Sequence, residues 1–151
     1  EALTMADFVA VMHGGELQQM APPADIYDRP ANRFVATFVG NPPMNILPVT
    51  LAEQGIAIGG TPVAIPAARL AACRAAQVVE SGLRPEDMSV SAPGAPNALP
   101  GEIYVVEPMG NETLVNGRRG GGNGSVRAGR DFRGAVVGSI RTDAARSSYP
   151  R

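Results

Sequence analysis

The sequence predicts a mainly β module made of many short elements. Three observations carry that prediction. Eighteen glycines and 14 prolines among 151 residues, about one residue in five, punctuate the chain too often for a helical bundle. Apolar runs are short and bounded by Gly or Pro, and residues 101–107 alternate apolar with polar as a half-buried strand does. No stretch of 18 apolar residues occurs, so no membrane-spanning helix is expected. A chain of this length buries roughly 68–70% of its unfolded surface, enough for a real core.

Phe8 to Met12 is an apolar run stopped by His13-Gly14-Gly15, which reads as a buried strand and tight turn, with Glu16 to Met20 as the antiparallel return. Pro23 to Asp28 has the form of a short helix with proline in its first turn. A second helix is expected over Ala31 to Val39, with Phe34, Val35 and Phe38 on one face and Gly40 as its stop. Between 44 and 65 three strand-like runs, Ile46 to Leu51, Gly55 to Gly60 and Val63 to Ile65, are spaced as in a small barrel or sandwich. Pro66 to Ala76 suits a helical connection and 78–83 a strand. Ser91 to Pro100 reads as a loop, Gly101 to Glu107 as a strand, Gly110-Asn111 as a turn, and Thr113 to Val115 as a further strand. Five to seven strands are expected between 44 and 142.

Composition excludes several kinds of chemistry. All 13 basic side chains are arginine, so the chain holds no lysine for a G-x-x-x-x-G-K-[ST] phosphate loop or a Schiff base. One histidine and one cysteine cannot build a structural zinc site or a disulfide framework. His13 in a glycine turn and Cys73 in an alanine-rich stretch read as structural residues. Glu86-Asp87 follows Pro85 in a strand-to-turn corner, where carboxylates cap amides or pair with a neighbour such as Arg84. Gly120-Gly121-Gly122-Asn123-Gly124 reads as a flexible loop. The charge is divided: residues 1–117 hold five Arg against 12 acidic residues, and residues 118–151 hold eight Arg against two Asp. That basic tail lacks interleaved aromatics, so no nucleic-acid partner is expected.

Three stretches together resemble a known family. They are Glu1 to Asp7 with Val9 to Gly15 and Gln18-Gln19; Ile26 to Asn45; and Gly82-Leu83-Arg84-Pro85-Glu86-Asp87 with Val106-Glu107-Pro108-Met109-Gly110-Asn111-Glu112-Thr113-Leu114-Val115. In order and spacing they resemble the C-terminal part of the ATPase subunit of carbohydrate-type ABC importers, the maltose and glycerol-3-phosphate class. The resemblance covers residues 1 to about 115 and extends more faintly to Asp131-Phe132-Arg133.

That resemblance implies a short α/β remnant of the ATPase domain with its linking helices over 1–42, an OB-like TOBE β-barrel over 43–142, and a disordered tail over 143–151. It implies a piece of a longer protein, in which the phosphate loop, signature motif and switch histidine lie upstream, so that ATP and Mg belong to the parent and no catalytic, cofactor or metal residue lies here. Implied partners are a second copy of the subunit, the membrane permease subunits and a regulatory protein, at the cytoplasmic face of the membrane. Arg84, Glu86, Asp87, Glu107, Gly110 and Glu112 are the candidate structural or interface residues. After Val115 the pattern departs from the family's. The expected last strand is not recognisable, which predicts an open barrel edge needing cover from a partner. An oxyanion-sensing barrel using Thr113 and Ser125 is the alternative.

Overall fold

The computed structural model describes residues 6–78, 80–92, 95, 98–119, 122–129 and 137–142. The predicted tail, 143–151, lies outside them. Strands β1 (Val9–His13) and β2 (Glu16–Ala21) form an antiparallel hairpin whose turn residues Gly14 and Gly15 have positive φ. Helix α1 (Pro23–Asp28) follows, with proline at its start as expected. Helix α2 (Arg33–Phe38) begins later than the sequence suggests because the Asn32 side chain accepts a hydrogen bond from the Val35 amide at 3.0 Å and caps it. Its buried face also differs from expectation. Val35 and Val39 enter a cluster with Val11 and Ile26, and Ala36 is buried, whereas Phe38 is 64% exposed and stacks on Phe34, which in turn packs against His13. Phe34 and Phe38 are one helical turn apart and share a stripe; Val35 leads the neighbouring stripe, and that one meets the hairpin.

Strands β3 (Asn45–Ala52), β4 (Gly55–Ile58) and β5 (Thr61–Ala64) form a meander, and helix α3 (Ala67–Ala75) leads to β6 (Glu80–Leu83). Strand β3 divides its pairing: Asn45 to Pro48 face β6, and Val49 to Ala52 face β4. The resulting sheet has order β5-β4-β3-β6. At Gly55 a Cβ would run into the Val63 carbonyl of the paired strand, so the close β4–β5 approach needs glycine there.

After a 3-10 turn at Pro85–Asp87 come β7 (Met88–Ser91), β8 (Ala98–Pro108), β9 (Glu112–Arg119), β10 (Gly122–Gly129) and β11 (Val137–Thr142). They form an antiparallel sheet of order β10-β9-β8-β11-β7. Nine strands among the described residues thus follow residue 44, more than the five to seven predicted. Of the glycine-rich segment read as a loop, Gly122, Asn123 and Gly124 belong instead to β10, which pairs with β9 in register from Glu112↔Gly129 to Arg119↔Gly122, while Gly120 and Gly121 lie outside the described residues. The predicted loop ending at Pro100 yields its last three residues to β8, because Leu99 is needed in the core. The last strand is present: β11 lies between β7 and β8.

The described sheets are OB-like but do not close into one continuous barrel. The five-stranded sheet curls so that its two outer strands, β10 and β7, meet over Leu83, Met88, Val115 and Val126. A second cluster, Val49, Ile56, Ile58, Val63, Val78 and Leu99, fills the four-stranded sheet, and half-buried Cys73 packs on it as a small apolar side chain would. Leu47 touches both clusters.

Candidate functional site: a polar junction and a projecting hairpin

Arg84 follows β6 and is only 5% exposed. Its guanidinium reaches back across the chain, Nη1 donating to the Val39 carbonyl at 2.5 Å and the Ala36 carbonyl at 3.2 Å, and Nη2 to the Tyr27 carbonyl at 2.7 Å. Those oxygens lie at the C-terminal ends of α1 and α2, where carbonyls lack partners within the helix. The same guanidinium lies 4.0 Å from the centre of the Tyr27 ring. Burial pulls the Arg84 pKa down from its ordinary value, and the nearby Tyr27, Glu86, Asp28 and Asp87 oppose that shift.

Glu86 accepts a hydrogen bond from the Tyr27 hydroxyl. Burial, this bond and the Glu86 charge together push the Tyr27 pKa up to about 12, so its hydroxyl remains a neutral donor. The Asp87 amide donates to the Arg84 carbonyl at 3.0 Å and closes the 3-10 turn. The structure therefore gathers Arg84, Glu86 and Asp87 around Tyr27, a residue that no local pattern singles out; its partners lie 57 and 59 positions away.

Glu107, Gly110 and Glu112 lie elsewhere, around the β8–β9 turn. Gly110 has φ +89°, and the Met109 amide donates to the Glu112 carbonyl at 2.7 Å, which is the predicted turn. Glu112 pairs with Arg127 at 3.3 Å, and Arg127 donates to the Asn41 carbonyl at 2.6 Å. Asn116 reaches Glu107 at 3.4 Å. From Tyr104 to Asn111 every side chain of this hairpin end is exposed, with Tyr104 at 50% and Met109 at 57%; Val105 and Val106 accompany them.

Asn45 is a further residue that sequence reasoning missed. It is buried, and its carboxamide pairs with both backbone groups of Ser125, the Ser125 amide donating to Oδ1 at 2.7 Å and Nδ2 donating to the Ser125 carbonyl at 2.8 Å. Strand β10 is an outer strand, so the Asn45 side chain occupies the place a neighbouring strand would take. The expected open edge is covered at this point by the chain itself. The separation of 80 residues is why no local pattern reveals it.

A cleft of about 260 Å³ lies beside this contact, lined by Arg33, Thr37, Asn45, Tyr104, Asn123 and Ser125 among others. Its polar groups are largely engaged: Arg33 with Glu80 at 3.0 Å, the Thr37 hydroxyl with the Arg33 carbonyl, Asn45 with Ser125, and the Ser125 hydroxyl with Asn116. Thr113 and Ser125, the hydroxyls of the oxyanion reading, do not converge. Thr113 is paired opposite Ala128 and Ser125 opposite Asn116, three steps along the hairpin, which places them on opposite faces. No group of three His, Cys, Asp or Glu side chains is arranged to hold a metal among the described residues.

Comparison with known proteins adds two family matches: residues 40–88 match the MalK OB fold domain and residues 81–139 the TOBE domain. The chain is 43% identical over 122 residues to an ATP-binding protein of Brucella abortus, covering 80% of this chain and 33% of that protein. It is 38% identical over 121 residues to the sn-glycerol-3-phosphate import ATP-binding protein UgpC of Bordetella avium, covering 80% and 32% respectively. It is 37% identical over 127 residues to UgpC 3 of Rhizobium johnstonii, covering 83% and 33%. The chain thus spans about a third of the length of the curated relatives it matches.

Proposed function

Because this chain belongs with the C-terminal part of the ATP-binding subunits of carbohydrate-type ABC importers and carries their OB-fold and TOBE domains, we propose that it is the regulatory and dimerisation module of such a subunit. It links the end of an ATPase domain, over residues 1–42, to the OB-like body that follows. It holds two copies together and receives regulatory proteins. The parent binds ATP and Mg, works with membrane permease subunits at the cytoplasmic face, and drives uptake of a sugar or a related solute such as glycerol-3-phosphate. The 151 residues bind no nucleotide by themselves, a reading supported by the lack of any lysine for a phosphate loop.

The observation that carries this reading is the projecting β8–β9 end, where Tyr104, Val105, Val106 and Met109 are exposed on both faces of the hairpin. Exposed apolar residues clustered at a hairpin tip suit a protein contact, and a two-fold arrangement lets one patch serve both copies. Sedimentation equilibrium tests it: the chain is expected to dimerise, and Val106→Asp to weaken the dimer by a factor of ten or more, about 1.4 kcal/mol. A chain that stays monomeric at high concentration, or a V106D variant that dimerises equally well, removes the dimerisation role. Calorimetric titration with Mg-ATP is expected to give no heat of binding; tight binding sinks the reading altogether.

A further inference from the structure

The β1–α2 segment and the OB-like body have separate apolar cores. Val11, Ile26, Val35 and Val39, with Val9, Ala21, Tyr27 and Phe34 against them, share no residue with either of the other two clusters. What joins the two parts is mainly polar, and Arg84 is its buried centre. We propose that Arg84 is a positioning residue, a joint that makes the β1–α2 segment and the body move as one piece.

Four features support it. Arg84 is anchored in the body, directly after β6, whose Leu83 belongs to the body's core. Its three hydrogen bonds end on two different helices of the other part, so the contact fixes a direction as well as a distance. Tyr27 is held at both ends, its ring by the Arg84 guanidinium and its hydroxyl by Glu86, two residues further along the body's chain. Gly40 leaves the necessary room: a Cβ there would stand 3.0 Å from Arg84 Nη1 and 3.2 Å from the Pro42 carbonyl, and its φ of +111° suits glycine. Other polar links, Arg33–Glu80 and Arg127–Asn41 among them, each have an exposed partner and fix the orientation less firmly. A displacement of the β1–β2 hairpin is accordingly carried into the body, and does not dissipate in a flexible linker. The proposal stands on the geometry of this chain whether or not the reading of its parent is correct.

The test uses the full 151-residue chain with Cys73→Ala and nitroxide labels on two pairs of exposed positions. One pair, Met12→Cys with Ala64→Cys, spans the joint; the other, Ala64→Cys with Ser89→Cys, lies within the body and away from the β8–β9 tip. With Arg84 intact, both pairs give one narrow distance distribution. Arg84→Met and Arg84→Lys are expected to broaden the first pair about twofold or more and to leave the second unchanged, since a lysine ammonium holds its three donors on a single nitrogen and lacks the rigid fork whose two separate nitrogens reach the ends of both helices. Tyr27→Phe, which loses only the link to Glu86, is expected to broaden the first pair less. If Arg84→Met does not fold, Arg84→Lys decides. A first pair that stays narrow without the guanidinium overturns the proposal. So does broadening of both pairs together, or loss of folding in both variants, because Arg84 would then support the whole fold and not the joint.

Discussion

Asn45 shows how one side chain can do the work of a strand. Removing its carboxamide leaves the amide and carbonyl of Ser125 without their partners, and an unsatisfied buried group costs roughly 1–3 kcal/mol. Asn45→Ala is therefore expected to lower the unfolding free energy, read from denaturant titration, by an amount in that range. Asn45→Asp is expected to cost more, because a carboxylate cannot donate to the Ser125 carbonyl. Tyr27 makes a prediction about pH. Its folded pKa, about 12, lies above the ordinary 10.0, so the stability it contributes is complete below about pH 10 and is lost as pH rises through 12. Following tyrosinate absorbance during alkaline titration should show one of the three tyrosines ionising late, and Tyr27→Phe should abolish that step and flatten the fall of stability across the same window. At this scale the sequence was half legible. Arg84, Glu86 and Asp87 stand out as a charged corner after a proline, but the tyrosine and the helix ends they serve are brought up only by the fold.

Elements were legible where their patterns are local. The β1–β2 hairpin declares itself by an apolar run and two glycines, the first short helix by the proline at its start and the second by the glycine that stops it. The β9–β10 hairpin did not, because the run Gly120-Gly121-Gly122-Asn123-Gly124 has no strand preference and reads as a flexible loop. Pairing with β8 on one side and the Asn45 clasp on the other supplies what local preference lacks. The same closeness of backbones predicts a sensitive glycine. At Gly55 an added methyl would collide with the Val63 carbonyl, and because that oxygen belongs to a paired strand it cannot move aside. Gly55→Ala is expected to cost about 1–3 kcal/mol, the range for overpacking, measured by thermal or urea unfolding.

At the scale of the whole molecule, strand β8 ties the body together. Its Leu99, 2% exposed, completes the core of the four-stranded sheet, while Ile103 packs against the core of the five-stranded one. Leu99→Ala is expected to destabilise the chain by about 2–5 kcal/mol and to shift fluorescence and circular dichroism transitions together, since both cores lose the strand they share. Transitions that separate would mean two independent units. The sequence by itself determined the β character, the order of the early elements, the exclusion of a lysine-based phosphate loop and the family likeness, because composition, local periodicity and short motifs are properties of neighbouring residues. Only the tertiary structure decided that the sheets curl without closing, that β11 fits between β7 and β8, that Asn45 covers the edge of β10, and that Arg84 joins the two parts. Each of these depends on groups tens of residues apart, and a pattern confined to neighbours along the chain carries no record of such pairs.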